Sequence, residues 1–382
     1  MTNRVTGLAK GVALLGAGLL IGCSDPVPLK LGVSVGLTGP AADLGREARD
    51  GVMLGVEQVN ADGGVHGRQL ELLVRDDGNT PELALKADRE LIDAGVVAIV
   101  GHVTSAMSVA AIEQINDSKL LMVSPTTSTS QLTGKNDYFL RVYEVTRDES
   151  IAMANYAFDI LGTRDVAIVY DFSNRAFTED WGDHFKAQFT ERGGEVSFEA
   201  QYTTSNSPEF KELGAGVQAK KHDLVLILAP ALDAARLCQQ LRKQGYMGNI
   251  MTSAWSTTSD LISHGGNAVE GVISPSAFDR GSDHSRFTAF REAFVSRFGY
   301  EPGFAGTMAH EAGDVVIRTL QTMDKSTLDS PYLSEKLRDE ILKQSRFEGL
   351  QGPIVFDAFG EVDRTNFLIQ VRNGQFVTVD DQ

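Results

Sequence analysis

The stretch VVAIVGHVTSAMSVAAIEQINDSKLLMVS, residues 96–124, decides the fold class of this chain. It begins with an apolar run, continues through a helical stretch from Ser105 to about Asp117, and ends in a second apolar run, LLMVS. Two buried strands joined by a helix form the crossover unit of a parallel sheet, because a tight turn cannot join parallel neighbours. The stretch therefore predicts an α/β protein with helices on both faces of a parallel sheet.

The same alternation of strands and helices runs along the chain in two blocks. In the first block, the predicted elements are strands at 29–35 and 69–75 and helices at 45–60 and from Pro81 to Gly95. In the second block, buried strands are predicted at 166–171, 195–202, 223–230 and 249–254. The tail is strand-rich, and its RNGQ segment indicates a hairpin turn. Two blocks of this kind predict two α/β lobes.

The composition is that of a large globular protein. The 382 residues are 42% hydrophobic, which is enough for a sizeable core, and the length suggests two domains. The formal net charge is −16, with the acidic residues spread along the chain. Such a surface repels nucleic acid and anionic lipid, so we expect no nucleic-acid partner for the folded body.

The N-terminus has the pattern of an export signal. Arg4 and Lys10 give a basic region, GVALLGAGLL gives an apolar core too short to span a bilayer comfortably, and LIGC ends at Cys23. LIGC is similar to a bacterial lipobox, which implies a signal peptide at 1–22, a lipidated tether at 23–29, and a membrane-anchored lipoprotein in the periplasm or at the cell surface. The alternatives are an ordinary signal peptide and a buried apolar N-terminus.

One motif points to an enzyme. GVSVG, with Ser34 at its centre, fits the G-x-S-x-G nucleophile elbow of serine hydrolases. An elbow needs a sharp turn after the strand and an upstream loop, whereas Ser34 lies between Val33 and Val35 near the mature N-terminus. We therefore predict that Ser34 is a mid-strand residue, and a lipoprotein hydrolase is the less favoured alternative.

The sequence indicates no metal, cofactor or disulfide site. HEAGD begins like a zinc-binding helix, but Asp314 stands where the second histidine belongs. The chain has no P-loop and no G-x-G-x-x-G, and its seven histidines do not cluster. Cys238 shares helical spacing with Ala234 and Leu241, so we predict a core residue without a disulfide partner.

Several stretches, in consistent order, carry a resemblance to a known family. They are GLTGPAADLGREARDGVMLGVEQVNADGGVHGRQLELLVRDDGNTP, VVAIVGHVTSAMSVAA, LLMVSPTTSTSQLT, DVAIVYDFSNRAFTEDWGDHF and GGNAVEGVISPS. Together they resemble the leucine/isoleucine/valine-binding family of periplasmic solute-binding proteins, which serve ABC transporters. The resemblance covers essentially the whole mature chain. It implies the type I periplasmic binding protein fold, in which two Rossmann-like lobes with parallel-rich sheets are joined by a three-strand hinge and close on a ligand.

The resemblance also implies how the chain is divided between the lobes. The hinge crossings are expected at three places, near 143–149, 270–279 and 348–357. Both lobes are then discontinuous, with lobe 1 at 30–146 plus 279–349 and lobe 2 at 147–278 plus 350–382.

The candidate ligand site lies in the polar loops that follow neighbouring strands, where open α/β sheets bind their ligands. Ser105 stands at a strand-to-helix junction, where it can cap a helix whose N–H groups favour a carboxylate. In the family, the residues that match Ser105 and Ser128 bind the ligand carboxylate and amine, and the carbonyl that matches Thr126 also accepts from the amine. The alternative is that all three are helix caps and turn residues.

The sequence departs from the family at the ammonium end of the ligand. The family's glutamate after a second-lobe strand has no counterpart in MTSAWST, so an ammonium group would be desolvated with weaker compensation. The aromatic walls of the family map to Leu44 and Phe177. Trp255 is expected either to offer a flat apolar or cation–π face or to lie in the core. Asp171, at the end of a lobe-2 strand, is the best acidic candidate, and its alternative role is a turn cap.

The sequence thus predicts a solute-binding protein of an ABC importer, monomeric and lipid-anchored, rather than an enzyme. The predicted ligand is a small molecule with a carboxylate, either an amino acid or an aromatic or aliphatic acid without the amine. Its other partner would be the ABC permease in the membrane. The alternative function is a ligand sensor of the same fold, an amide or amino-acid receptor that signals to a membrane partner.

Overall fold

The computed structural model describes residues 1–2, 26–203 and 209–379. Cys23 and nearly all of the predicted signal peptide lie outside the described residues. In the part of the chain that is described, no helix combines the length and the apolar character that a membrane span requires.

The first lobe is built on a five-stranded parallel sheet with the order β2-β1-β3-β4-β5. Its strands are β1 (Leu29–Val35), β2 (Leu70–Asp76), β3 (Ile99–Gly101), β4 (Met122–Ser124) and β5 (Phe139–Arg141). The helices between them are α1 (Ala42–Ala61), α2 (Pro81–Asp93) and α3 (Ser105–Ser118). The stretch 96–124 thus forms β3, α3 and β4, with β3 parallel to β4, which confirms the predicted crossover unit.

The second lobe repeats this plan. Its helices are α4 (Thr146–Asp159), α5 (Arg175–Glu191), α6 (Phe210–Gln218), α7 (Ala231–Lys243) and α8 (Ser259–Gly265). Its first strands are β6 (Asp165–Asp171), β7 (Glu195–Tyr202), β8 (Leu224–Leu228), β9 (Asn249–Thr252) and β10 (Ile273–Ser276). All five residues of β8 are buried, as expected for a strand covered by helices on both faces.

The remaining elements complete both lobes. They are α9 (Ser285–Phe298), α10 (Phe304–Thr322), α11 (Leu333–Gln344), β11 (Arg346–Glu348), β12 (Pro353–Val355), β13 (Phe367–Arg372) and β14 (Gln375–Thr378). Helix α10 packs against α1, where a Cβ on Gly51 would lie 2.1 Å from the carbonyl oxygen of Gly306, so only glycine allows this approach. Strands β13 and β14 join the second sheet, which has the order β14-β13-β10-β9-β8-β6-β7.

The chain passes between the two lobes three times. It leaves the first lobe after β5 and returns after β10 to form α9 and α10, which pack against α1. It leaves again after β12, which forms a separate two-stranded sheet with β11. The predicted α/β fold, with two lobes and parallel-rich sheets, is confirmed. The lobe limits that we inferred from the sequence stay a prediction.

Three local predictions can be compared directly with the structure. Ser34 lies in β1, next to its last residue, fully buried and paired with Arg75 on one side and Gly101 on the other, so it is a strand residue and not an elbow. Cys238 is a buried core residue of α7. The RNGQ segment forms the β13–β14 hairpin, with φ values of 52° at Asn373 and 69° at Gly374, as a tight primed turn requires.

Candidate ligand-binding cleft

A cavity lies between the lobes at the carboxyl ends of the strands. It contains about 320 Å³ of empty space, of which about 20 Å³ admits the centre of a water molecule, so the lobes are close together. Its lining comes from both lobes and consists of Leu44, Val103, Ser105, Thr126, Ser128, Tyr143, Glu149, Asn174, Phe177, Ala254, Trp255 and Phe304. Six of the seven predicted ligand residues are among them, and Asp171 is not.

Ser105 connects the two polar loops, and it does so differently from the prediction. Its Oγ accepts hydrogen bonds from the N–H groups of Ser128 and Thr129, both at 3.3 Å. The N-cap residue of α3 is Thr104, and Ser105 is the first helical residue. The predicted capping role of Ser105 is therefore wrong, because its side chain turns toward the loop after β4 instead of toward its own helix.

The hydroxyls of the loop after β4 hold this loop against the loop after β3. Thr126 Oγ1 donates to the carbonyl oxygen of Val103 at 2.7 Å, and Ser124 Oγ donates to that of His102 at 2.7 Å. Thr146 Oγ1, at the start of α4, donates to the carbonyl oxygen of Ser128 at 2.7 Å. The side chain of Thr126 thus positions this loop, and the ligand contact expected of its carbonyl stays a prediction.

A buried charge cluster anchors the loop after β3. The His102 ring is fully buried, with Nδ1 2.7 Å from Asp77 Oδ2 and Nε2 3.1 Å from Asp88 Oδ2. Burial alone would lower the pKa of His102, but attraction to Asp88 and the hydrogen bonds to both carboxylates outweigh it and raise the pKa to about 10. The imidazolium ties β3 to the segment after β2 and to α2.

Stability is expected to fall as pH rises from about 5 to about 10. His102 is protonated in the folded state up to its pKa of about 10, so its contribution is complete below its ordinary value of 6.5 and is lost as pH rises through 10. Burial, the largest cause at each group, also raises the pKa of Glu47 and Glu144 to about 8 and that of Asp314 to about 7. In this window the unfolded chain binds fewer protons than the folded one, so the free energy of unfolding falls as pH rises.

Urea unfolding at pH 5, 7 and 9 measures this dependence of the free energy of unfolding on pH. A free energy of unfolding that rises with pH would contradict the prediction.

Sequence reasoning missed Glu149, which lies in the first turn of α4 and lines the cavity. It is buried, with Tyr143 Oη donating to Oε2 at 2.9 Å and Trp181 Nε1 donating to Oε1 at 2.8 Å. Burial raises the pKa of Glu149, and the hydrogen bonds from Trp181, Tyr143 and the Ala254 backbone oppose this shift. Within residues 26–203 and 209–379, no ion pair includes Glu149. An acid in a first helical turn is common, so nothing in the sequence distinguished it.

The opposite wall of the cavity is apolar. The rings of Phe177 and Trp255 meet edge to face, with centroids 5.9 Å apart and planes at 86°. Trp255 is only 5% exposed, yet it borders the cavity, so it belongs to the core and to the cleft at once. Leu44 and Phe304, the first residue of α10, add to this wall. Phe304 was not predicted, because it approaches the cleft only through the packing of α10 on α1.

Asp171 occupies a different position from the one expected of an ammonium partner. Its carboxylate accepts hydrogen bonds from the backbone N–H of Ser173 at 2.9 Å and from Ser173 Oγ at 2.7 Å. This is the turn-cap role that the sequence left open as the alternative. The structure places Glu149, and not Asp171, at the cavity.

Direct hydrogen bonds join the lobes around the cavity. Ser130 donates to Asp180 of α5 from its backbone N–H at 2.7 Å and from Oγ at 2.6 Å. The N–H of Ala106, in α3, donates to Asn174 Oδ1 at 3.0 Å. On another side, Thr258 Oγ1 donates to Asp43. These bonds hold the loops of the two lobes together around the cavity.

Known proteins share this architecture. The chain is 23% identical over 341 residues to Leu/Ile/Val-binding protein homolog 3 of Brucella melitensis, covering 89% of this chain and 90% of the relative. The fold is similar to that of the LivJ substrate-binding protein of a Streptococcus pneumoniae branched-chain amino acid transporter, solved with isoleucine, at a TM-score of 0.84 and 20% identity, covering 92% and 99% of the chains. It is also similar to a Rhodopseudomonas palustris solute-binding protein solved with 3,4-dihydroxybenzoic acid, at a TM-score of 0.80 and 21% identity, covering 92% and 96%.

The family assignment follows from the sequence itself. Residues 28–375 match the profile of the periplasmic binding protein family. This range includes every strand of both sheets except β14, of which only Gln375 is included, and every residue that lines the cavity between the lobes. The chain therefore belongs to the periplasmic binding protein family, and it is a binding protein rather than an enzyme.

Proposed function

We propose that this protein is the extracytoplasmic solute-binding protein of an ABC importer and that it captures a small α-amino acid between its lobes. The observation that carries the choice of ligand is Glu149, a buried carboxylate at the cavity that no ion pair of the described residues includes. An unpaired buried charge is costly, and a ligand ammonium group would supply the missing cation.

The polar loops after β3 and β4, which also line the cavity, suit a carboxylate. Ser105 and Ser128 supply hydroxyls there, and the N-terminus of α3 presents backbone N–H groups with the positive end of the helix dipole. A ligand with an ammonium at Glu149, a carboxylate near Ser105 and a side chain against Phe177 and Trp255 would match all three regions. The α-amino acids have this arrangement of groups.

An amine-free aromatic acid is the second candidate ligand. The Phe177–Trp255 wall would pack against an aromatic ring, and a protein of similar fold was solved with 3,4-dihydroxybenzoic acid. Such a ligand would leave Glu149 without a cation, so it would bind with Glu149 protonated. We favour the amino acid because it pairs the buried charge.

Ligand capture would occur by hinge closure. The lobes, 30–146 plus 279–349 and 147–278 plus 350–382, would rotate about the three crossings and form the Ser130–Asp180, Ala106–Asn174 and Thr258–Asp43 contacts on closing. The closed state would hold the ligand until the permease opens it.

Replacing Asp180 by alanine is expected to weaken ligand affinity about ten-fold, mainly through faster release. The change removes both hydrogen bonds from Ser130, and hydrogen bonds to a charged group are worth about 1.5–3 kcal/mol before solvent screening. Stopped-flow dissociation measures the effect. Asp183→Ala, one turn along α5 and 63% exposed at its side chain, is the matched control. Equal release rates for both variants would contradict the role of this contact.

The import role is tested by uptake of a labelled amino acid. Cells that lack this chain should take up the ligand poorly, and expression of the intact chain should restore uptake. A sensor of the same fold would leave uptake by existing transporters unchanged while abolishing a response to the ligand, so the same cells distinguish the two functions.

We further propose that Cys23 carries the lipid anchor and that the protein is a monomer on the membrane surface. More than one acyl chain is needed for stable anchoring, as bacterial lipoproteins have. Cys23→Ser is expected to move the protein from the detergent phase to the aqueous phase in phase partitioning. Partitioning that does not change would contradict lipidation at this residue.

A further inference from the structure

A second cavity lies between the lobes beside the first one. About 560 Å³ of it admits the centre of a water molecule, against about 20 Å³ in the first cavity. Helix α1 borders both, with Leu44 at the first cavity and Glu47, one turn later, at the second. On the other lobe, Trp255 lines the first cavity and Thr257 the second. The two spaces are therefore adjacent but are lined by different side chains.

One end of the second cavity is a buried carboxylate. Glu47 is 6% exposed, and its Oε2 has no hydrogen-bond partner among the described residues. The carboxylate lies against Gly303, where a Cβ would be 2.2 Å from Oε2, so glycine makes room for it. It accepts a hydrogen bond from the backbone of Gly306, in the first turn of α10. With this one hydrogen bond, most of the hydrogen-bonding capacity of the Glu47 carboxylate remains unused.

The other end is a guanidinium held by aromatic rings. Arg280 lies 5.0 Å from the ring centre of Phe278 and 4.9 Å from that of Phe376. Its Nη2 donates to the carbonyl oxygen of Thr257 at 3.0 Å, and its Nε has no partner among the described residues. The guanidinium thus lies near two aromatic rings, and no ion pair of the described residues includes it.

The two charges face the same cavity without touching. Among the ion pairs of residues 26–203 and 209–379, counted up to 4.0 Å, none joins Glu47 to Arg280. A second pair at the cavity, Arg291 and Glu301, is already satisfied by two hydrogen bonds of 2.6 and 2.8 Å. Glu47 and Arg280 attract each other across the cavity without direct contact, and burial still raises the pKa of Glu47 to about 8, so an ammonium group beside Glu47 would favour its ionised form.

We propose that this cavity is a second ligand site, separate from the amino-acid cleft, and that it binds a small zwitterion. The ligand ammonium group would pair with Glu47 and its carboxylate with Arg280, which has the planar donor edge that carboxylates prefer. A ligand with only one charge would leave the opposite group unmatched, so both charges are needed for binding. Because Arg280 precedes α9 and Glu47 lies in α1, an occupied site would also link the second hinge crossing to the first lobe.

Three probes with one carbon skeleton test this proposal on the complete chain in detergent. They are 5-aminopentanoate, which carries both charges far enough apart to span more than 4.0 Å, pentanoate, and pentylamine. Calorimetry at pH 9, above the pKa of about 8 of Glu47, is expected to show binding of 5-aminopentanoate and at least ten-fold weaker binding of the two singly charged compounds. Equal binding of pentanoate, or no binding of 5-aminopentanoate up to about 10 mM, would overturn the proposal.

Single substitutions test whether 5-aminopentanoate binds in this second cavity. Glu47→Gln and Arg280→Met should each weaken 5-aminopentanoate at least ten-fold, whereas Ser263→Ala, an exposed residue that lines the same cavity, should not. Glu149→Gln, in the first cavity, should leave this binding unchanged, which separates the proposal from the amino-acid site. Binding of 5-aminopentanoate that Glu47→Gln and Arg280→Met leave intact would overturn the proposal.

If either variant does not fold, a crystal structure of the wild-type protein at saturating 5-aminopentanoate tests the proposal instead. A second cavity without the compound in that structure would overturn the proposal.

Discussion

Replacing Glu149 by glutamine is expected to weaken amino-acid binding at least 100-fold and to leave the free energy of unfolding unchanged or higher. Loss of one partner of a buried, hydrogen-bonded charge pair costs about 2–5 kcal/mol of binding free energy, and 2.7 kcal/mol corresponds to 100-fold. In the ligand-free protein, the substitution removes a buried acid that no ion pair of the described residues includes, while the new carbonyl can still accept from Tyr143 or Trp181. Isothermal titration and urea unfolding of the same samples measure both effects.

The matched control is Asp171→Asn. It makes the same chemical change at the acid that the sequence singled out, but Asp171 caps Ser173 and does not line the cavity. Asparagine also caps turns well, so both stability and affinity should stay close to the wild-type values. A larger loss of affinity in Asp171→Asn than in Glu149→Gln would show that we have assigned the wrong carboxylate to the ligand.

Replacing His102 by leucine is expected to destabilise the protein by about 3–5 kcal/mol, the usual cost of removing one partner from a buried ion pair. The substitution leaves the carboxylates of Asp77 and Asp88 buried without their cation. It also releases the loop after β3, whose His102 and Val103 carbonyls accept from Ser124 and Thr126. Ligand affinity should therefore fall together with stability. Urea unfolding and titration with the ligand measure the two losses.

Two controls separate the charge cluster from a general effect of changing a histidine. His284→Gln, on the exposed surface, should leave stability within about 0.5 kcal/mol of wild type. Adding Asp77→Asn and Asp88→Asn to His102→Leu should recover part of the lost stability, since the uncompensated charges are then gone. A triple variant less stable than His102→Leu alone would contradict the electrostatic explanation.

The architecture could be predicted from the sequence because the strands, helices and turns that build it depend on local patterns. The apolar runs around 99–101 and 122–124 and the helix between them have the periodicity of a crossover unit. Ser34 was assigned to a strand from its β-branched neighbours, and the RNGQ hairpin from its turn residues. Each of these predictions depends on a few consecutive residues, and the structure confirms them.

The chemistry of the site was harder to predict because it depends on contacts between distant segments. Glu149 became a candidate only when Tyr143, Trp181 and the Ala254 backbone were seen to surround it. The prediction that Ser105 caps α3 was wrong for a related reason. The backbone N–H groups of Ser128 and Thr129, more than twenty residues along the chain, donate to Ser105 Oγ. Spacing shows which residues share an element, but it does not show which side chains meet across a cleft.

The most direct test of the account compares L-leucine with 4-methylpentanoate, which has the same carbon skeleton and lacks only the amine. Thermal unfolding is followed for the chain without residues 1–22, with each compound at increasing concentration. A ligand at 100 times its dissociation constant adds about 2.7 kcal/mol to the free energy of unfolding. We expect leucine or another amino acid to raise the melting temperature and the corresponding amine-free acids to have little effect. Stabilisation by 4-methylpentanoate or benzoate, and by none of the amino acids, would contradict the pairing of a ligand ammonium with Glu149.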